Sequence, residues 1–373
     1  MSGMKHSGGS VTTRRTRKIK VAPMTRAVRM ALAASVAALA LGASGGAFAG
    51  NCKAATAIAG DCAVARGIDR APVADLTIVH EGAAAAAIPM VAALAIDEYG
   101  SGDVVIDNAD PITEFDLFAD VITISGYSSE GNVDITNQAG ADLYAGSVFG
   151  SAIGIYAYAT LGDAAVDNAA DITAISYYGL ADGIFASGAN VDVTNAGAIE
   201  VYGYTWAAGI EAQGDVSATV DNSGDITVDS PGFLQVQDYY GVIGYAPGAQ
   251  AFGIYATGGE GGVDLTNSGT ISVDGGYVAG IEVQSSGDIG VSNSGDIVAG
   301  SGYNASYNNG YYYFYGTQVA TGINATSNGE GAHVGVTNSG DITAEGIFGA
   351  SGIAATSGGL GGPASVANSG DIY

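Results

Sequence analysis

Among the side chains that carry chemistry, this chain of 373 residues is rich in one kind only. It holds 37 Asp and Glu, against 11 Lys and Arg, 3 His and 2 Cys. Paired carboxylates suit glycoside hydrolysis, where one acid protonates the leaving oxygen while the second activates water or attacks. Nothing in the spacing of these acids singles out such a pair. Cationic chemistry is excluded over most of the chain, because the last basic residue is Arg70. Beyond it there is no lysine for a phosphate loop or Schiff base and no arginine to clamp a phosphoryl group. Binding to nucleic acid draws its energy from Lys and Arg and is excluded with them. Two histidines follow the leader, His80 and His333, far apart and read as surface residues. The sequence therefore assigns no catalytic residue, and the chain is expected not to be an enzyme.

The acids do recur by position. Asp171, Asp225, Asp296, Asp341 and Asp371 each follow an asparagine by three residues. A column of hard oxygen ligands suits a row of weak Ca²⁺ sites. The preferred reading is solvated turn residues screened by salt. The stretch Gly258 to Asp264 is similar to the calcium-binding RTX nonapeptide, but its Asp is displaced by one and it occurs once. No cofactor is expected beyond such weak Ca²⁺ binding.

The asparagines that set this count are Asn108, Asn137, Asn168, Asn195, Asn222, Asn267, Asn293, Asn338 and Asn368, at spacings of 29, 31, 27, 27, 45, 26, 45 and 30. They close repeats such as VDVTNAGAIEV (191–201), VDLTNSGTISV (263–273) and GVTNSGDITA (335–344). A second motif, near Gly-Ile-x-Ala, precedes each one, beginning at Ala95, Thr123, Gly154, Gly183, Gly209, Gly253, Gly280, Gly322 and Gly352. Motif to asparagine is nearly constant at 12 to 16 residues, whereas the return varies from 13 to 31. Both 45-residue repeats thus carry their extra residues at the same corner. Alternating β-branched residues bounded by Asn and Gly read as strands. One such unit cannot bury its apolar face alone, but stacked copies can. The predicted fold is all-β, a right-handed parallel β-helix of about nine coils over residues 95–373. The asparagine is expected at a turn, because it tolerates the left-handed conformation and its amide can bond its copies above and below.

The aromatic residues are biased toward the return path. Tyr144, Phe149, Tyr177, Tyr178, Tyr202, Tyr204, Trp206 and Tyr277 all fall there. The first insertion holds Phe233, Tyr239, Tyr240 and Tyr245. The second holds Tyr303, Tyr307, Tyr311, Tyr312, Tyr313, Phe314 and Tyr315. Two coils separate the insertions, roughly 10 Å along the axis, so they can meet as one patch. Tyr mixed with Asn, Ser and Gly is the composition of adaptable binding loops. These residues are candidate adhesive loops; the alternative is that some rings merely cover the solenoid.

The N-terminus sets the compartment. Residues 14–29 carry seven cations, an Ala/Leu/Val run spans Ala31 to Ala43, and Ala47-Phe48-Ala49 follows. This is a secretory signal peptide over 1–49, with a mitochondrial transit peptide as the alternative. The apolar run is shorter than the ~20 residues that span a bilayer. Cys52 and Cys62, just beyond, are read as a disulfide stapling an N-terminal cap over 50–94. The Ala-rich run Ala83–Ile96 is a possible helix within that cap.

Signal peptide, small disulfide and degenerate V-x-N-S-G-D-I-x-V repeats together resemble the passenger region of Gram-negative autotransporters, with haemagglutinin-like β-helical adhesins as the near alternative. The resemblance implies display at the cell surface, and as partner a C-terminal outer-membrane β-barrel translocator that lies outside these 373 residues. A truncation inside a repeat is the expectation at Tyr373. The functional expectation is a non-enzymatic surface adhesin or scaffold, exported to the outer membrane or extracellular space and binding a glycan or protein. The alternative is a secreted β-helical enzyme that cleaves polysaccharide.

Overall fold

The computed structural model describes residues 58–59, 76–81, 96–230, 235–238, 241–244, 249–300, 303–308, 311–359 and 362–373. The leader, Cys52, Cys62, the Ala-rich run up to residue 95 and Phe233, Tyr239, Tyr240 and Tyr245 lie outside them. Alternation is the rule in each strand. In Val133–Asn137, Val133, Ile135 and Asn137 point inward and are buried, while Asp134 and Thr136 face outward. A strand of this pattern has one apolar side, and identical neighbours cover it only if they stack in register.

The chain does this by coiling into a parallel β-solenoid, with no helix among the described residues. One turn contains three strands, for example Ala152–Ala159, Ala164–Asn168 and Ile172–Ser176. The first carries the Gly-Ile motif, the second ends on the repeat asparagine, and the third begins with isoleucine. Corresponding strands pair in parallel from turn to turn, so Asn137, Asn168 and Asn195 stand in register. In Leu180–Asn195 and Trp206–Asn222 the first two strands run together without a break. The first and second columns therefore form one 18-stranded sheet and the third an 8-stranded sheet. The third column numbers eight turns rather than the expected nine, because the next turn contributes only the bridge from Ile372 to Ile342. Pairing also reaches back before residue 95: Leu76–Glu81 lies in register with Val104–Asn108 and is itself paired by Ile58–Ala59.

Vertical stacks of isoleucine fill the interior. Ile124, Ile155, Ile184, Ile210, Ile254, Ile281 and Ile323 line the first column, all fully buried. Ile112, Ile172, Ile199, Ile226, Ile271, Ile297 and Ile342 line the third. Each contributes roughly 1.5–3 kcal/mol by leaving water. The glycine of the Gly-Ile motif is where these two stacks meet. A Cβ on Gly183 would lie 2.4 Å from Ile199 Cγ2 and 2.5 Å from the carbonyl oxygen of Gly209. The same pair of clashes recurs at Gly154, Gly209, Gly253, Gly280 and Gly322, and the isoleucine clash alone at Gly352. Close approach of the third strand, not a left-handed backbone, requires glycine there.

Candidate functional site

The repeat asparagines lie inside the stack. Asn108, Asn137, Asn168, Asn195, Asn222, Asn267, Asn293 and Asn338 are buried and each closes a strand, so the backbone is extended there rather than left-handed. The side-chain amide Nδ2 of each donates to Oδ1 of the asparagine one turn on, at 2.7 Å from Asn108 through to Asn368. From Asn168 onward, and at Asn108, Nδ2 also donates to the carbonyl oxygen two residues ahead. This spends both amide hydrogens and satisfies a turn carbonyl that burial would otherwise leave unpaired. The ladder is structural in its chemistry.

The recurrent aspartates serve the next corner. Oδ1 of Asp171, Asp225, Asp296 and Asp341 accepts the backbone N–H of Ala198, Thr270, Asp341 and Asp371 respectively, at 2.9–3.0 Å. Each carboxylate thus caps the coil that follows it. Among the described residues no three His, Cys, Asp or Glu side chains converge as a metal-binding group.

The corner between the third and first columns gathers the exposed rings. Phe118, Phe149, Tyr178 and Tyr204 occupy it on the first four turns, Tyr277 on the sixth and Phe348 on the eighth, at exposures from 36% to 76%. The first three stand as a stack, with centroids 5.5 and 5.3 Å apart, and Tyr204 lies 5.9 Å beyond Tyr178, tilted by 53°. Both insertions leave at this same corner, after Ile226–Ser230 and after Ile297–Ala299. Their backbones join. Gln235–Asp238 and Gly241–Gly244 form one antiparallel hairpin, and Tyr303–Asn308 and Tyr311–Gly316 form the other. The two hairpins pair through Gln235↔Phe314, Val236↔Tyr313 and Gln237↔Tyr312, giving a four-stranded sheet beside the solenoid's own. Tyr303, Tyr307, Tyr311, Tyr312, Tyr313, Phe314 and Tyr315 therefore all belong to a single antiparallel sheet.

A second concentration of functional groups lies on the outer side of the first column. The residue after the motif isoleucine projects outward, and in register these read Tyr156, Phe185, Glu211, Tyr255, Glu282 and Asn324. Two residues on, the parallel column reads Tyr158, Ser187, Gln213, Thr257, Gln284 and Thr326. The lower part is aromatic: Tyr99, Tyr127 and Tyr158 stack at 4.7 and 5.6 Å, and Tyr156 stacks on Phe185 at 5.1 Å. The upper part is polar. Gln213 donates to Glu211, Gln284 donates to Glu282 at 3.2 Å, and Asn324 Nδ2 reaches both oxygens of Glu282 at 2.9 and 3.0 Å. Asp182 sits at the edge of this patch, 3% exposed, accepting the Trp206 indole N–H at 3.1 Å.

Burial dominates the electrostatics here. It holds the Asp182 carboxyl well above the usual range, and the neighbouring Glu211 adds to the rise, while the Trp206 indole and the Ala208 N–H oppose it. Burial likewise raises Glu211 and Glu282, against the amide donors that bond them. On the third column, burial and the stacked Asp274 push Asp229 up to about 7. Tyr202, buried beside Asp229, rises to about 12.

No family model, curated protein or solved structure matches the chain. Its site is therefore read from its own geometry. Sequence reasoning missed the acidic and aromatic patch, whose one signal is the variable position of Gly-Ile-x-Ala. Read down the repeats, that position gives Tyr156, Phe185, Glu211, Tyr255, Glu282 and Asn324.

Proposed function

We propose that this β-solenoid is the surface-displayed passenger region of an autotransporter-like protein of a Gram-negative cell. In this reading a cleaved signal peptide exports it, an outer-membrane β-barrel translocates it, and it acts as a non-enzymatic adhesin. One observation carries the reading: every turn from the first to the eighth places either an exposed ring or an insertion at one corner, and the two insertions share a sheet. A soluble protein rarely leaves a contiguous line of exposed rings unless it meets another surface. Tyrosine and phenylalanine in such a line supply contact area at little cost in side-chain entropy.

The test is deletion of residues 301–316 in the exported protein. The solenoid is expected to keep its circular dichroism and melting temperature while adhesion of displaying cells to host-cell or glycan-coated surfaces falls. A folded deletion variant that adheres as well as its parent refutes the role given to that hairpin. A second reading, a polysaccharide-cleaving enzyme, draws on Glu211 and Glu282. Two rungs separate them, about 10 Å between backbones, near the upper end of the separation used by inverting glycosidases. Release of new reducing ends from neutral or acidic glycans by the purified protein would favour that reading.

A further inference from the structure

We infer that the outer side of the first column, between the Glu211 and Asn324 turns, is a binding site for an uncharged glycan chain lying along the solenoid axis. Its residues are drawn from the first-column strands Trp206–Asn222, Gln250–Gly258, Tyr277–Ser285 and Val319–Ser327, not from the hairpin strands. Three features of the face select that ligand. The first is the state of its rings. Along the aromatic corner Phe118, Phe149 and Tyr178 lie nearly parallel, successive rings within 9°, so each ring covers a face of the next. In the polar half of the first column the described rings do not stack on one another. Trp206 meets Tyr255 edge-on at 85°, and Phe252 is tilted from both by 46° to 48°. These rings are half-buried, and among the described residues none of them is paired face to face. A sugar presents an apolar face of C–H groups that suits such a ring.

The second feature is the set of polar groups in line with Tyr255. Gln213, half-buried over the 6%-exposed Glu211, lies one rung below it, Glu282 with Gln284 one rung above, and Asn324 with Thr326 above that. The rungs recur about every 4.8 Å, so a carboxylate–amide pair stands one rung below the ring and another one rung above it. Hydroxyl groups of successive sugars donate to such carboxylates and accept from such amides. The amide donors already fix the orientation of both glutamates, which lowers the ordering cost of binding.

The third feature is charge. No Lys or Arg follows Arg70, so a polyuronate or sulfated glycan would meet Glu282 and the acidic exterior around it with no cation to compensate. A polycation would bind the acidic exterior anywhere and would not single out this face. An uncharged chain is the ligand that the ring, the amides and the carboxylates together distinguish.

Trp206 is the only tryptophan in the chain, so its fluorescence reports this site alone. The experiment titrates the full exported protein with the neutral hexasaccharides of cellulose, starch and N-acetylated chitin, and with a polygalacturonate hexamer. At least one neutral chain is expected to give a saturable change in emission, and the polyuronate none. Tyr255→Ala and Gln284→Ala are each expected to weaken that binding about tenfold or less for a hydrogen bond and more for the ring. Gln284 is exposed and its only described bond is to Glu282, so its variant keeps the fold even where Tyr255→Ala does not. The inference is overturned if none of the three neutral chains gives a saturable signal, if folded Gln284→Ala and Tyr255→Ala bind like the parent, or if polygalacturonate binds equally. Deletion of residues 301–316 is expected to leave the titration unchanged. That control separates failure of this site from failure of the corner's adhesive role.

Discussion

Replacing Asn267 with valine tests the central element of the stack. Its Oδ1 accepts from Asn222 at 2.7 Å, and its Nδ2 donates to Asn293 at 2.7 Å and to the Gly269 carbonyl at 2.8 Å. Valine removes all three bonds and leaves three groups without them: one Asn222 amide hydrogen, Asn293 Oδ1 and the Gly269 carbonyl. Asn222 and Asn293 are 0% and 2% exposed, so water reaches neither side chain. A buried polar group left unpaired costs about 1–3 kcal/mol. Three of them set the expected loss at about 3–6 kcal/mol, after allowance for the greater apolarity of valine. Guanidinium unfolding followed by circular dichroism measures it, with hydrogen exchange at Ser268 and Ser294 reporting local opening. The control is Asn368→Val, at an exposed rung where water can replace both the ladder bond and the bond to the Gly370 carbonyl, so the loss is expected below about 1 kcal/mol. If Asn267→Val lies within 0.5 kcal/mol of the parent, the ladder does not hold the coils as argued.

Two further substitutions follow from the same geometry. Asp229 carries a carboxyl raised to about 7 by burial and by Asp274, from the usual 3.8. Between these values the unfolded chain gives up its proton first, so stability falls as pH rises from about 4 to about 7 and stays reduced above that. Asp229→Asn is therefore expected to raise the melting temperature at pH 8 and to match the parent near pH 4; equal gains at both would refute the assignment. Gly280→Ala would place a Cβ 2.3 Å from Ile297 Cγ2 and 2.7 Å from the Gly322 carbonyl. Overpacking of this kind costs roughly 1–3 kcal/mol. The double variant with Ile297→Ala is expected to lose less than the sum of the two singles, and simple additivity in denaturation would show that the two sites do not meet.

The solenoid was legible because its cause is periodic. Alternation in VDLTN and TVDN, repeated at near-constant distance from Gly-Ile-x-Ala, defines strand, face and register together. The number of turns was less legible, since the last asparagine, Asn368, opens a turn whose third strand is only a bridge at Ile372. The local role of asparagine also had to come from the structure. Its residue type fits a turn or a buried ladder equally, and only inward orientation at a strand's last position decides for the ladder. The two insertions could be placed at one corner by arithmetic. Their pairing through Val236 and Tyr313 depends on backbone contacts between segments about 75 residues apart, which no local pattern encodes. The patch of Glu211, Tyr255 and Glu282 was hidden for a different reason. Each sits at the one motif position that varies, and variation within a repeat reads as noise until the turns are aligned on a common axis.

Solenoids fail by cracking, because each coil touches only its two neighbours and any one interface can open by itself. The hairpin pair changes that locally. One arm leaves the turn of Ile226–Ser230 and the other the turn of Ile297–Ala299, while the turn of Ile271–Gly275 lies between them with no hairpin of its own. The shared sheet is thus a clip fastened across two seams. A crack above or below the middle coil must also tear the bonds between 235–237 and 312–314 before it can widen. Pulled along its axis, the rod should part elsewhere first.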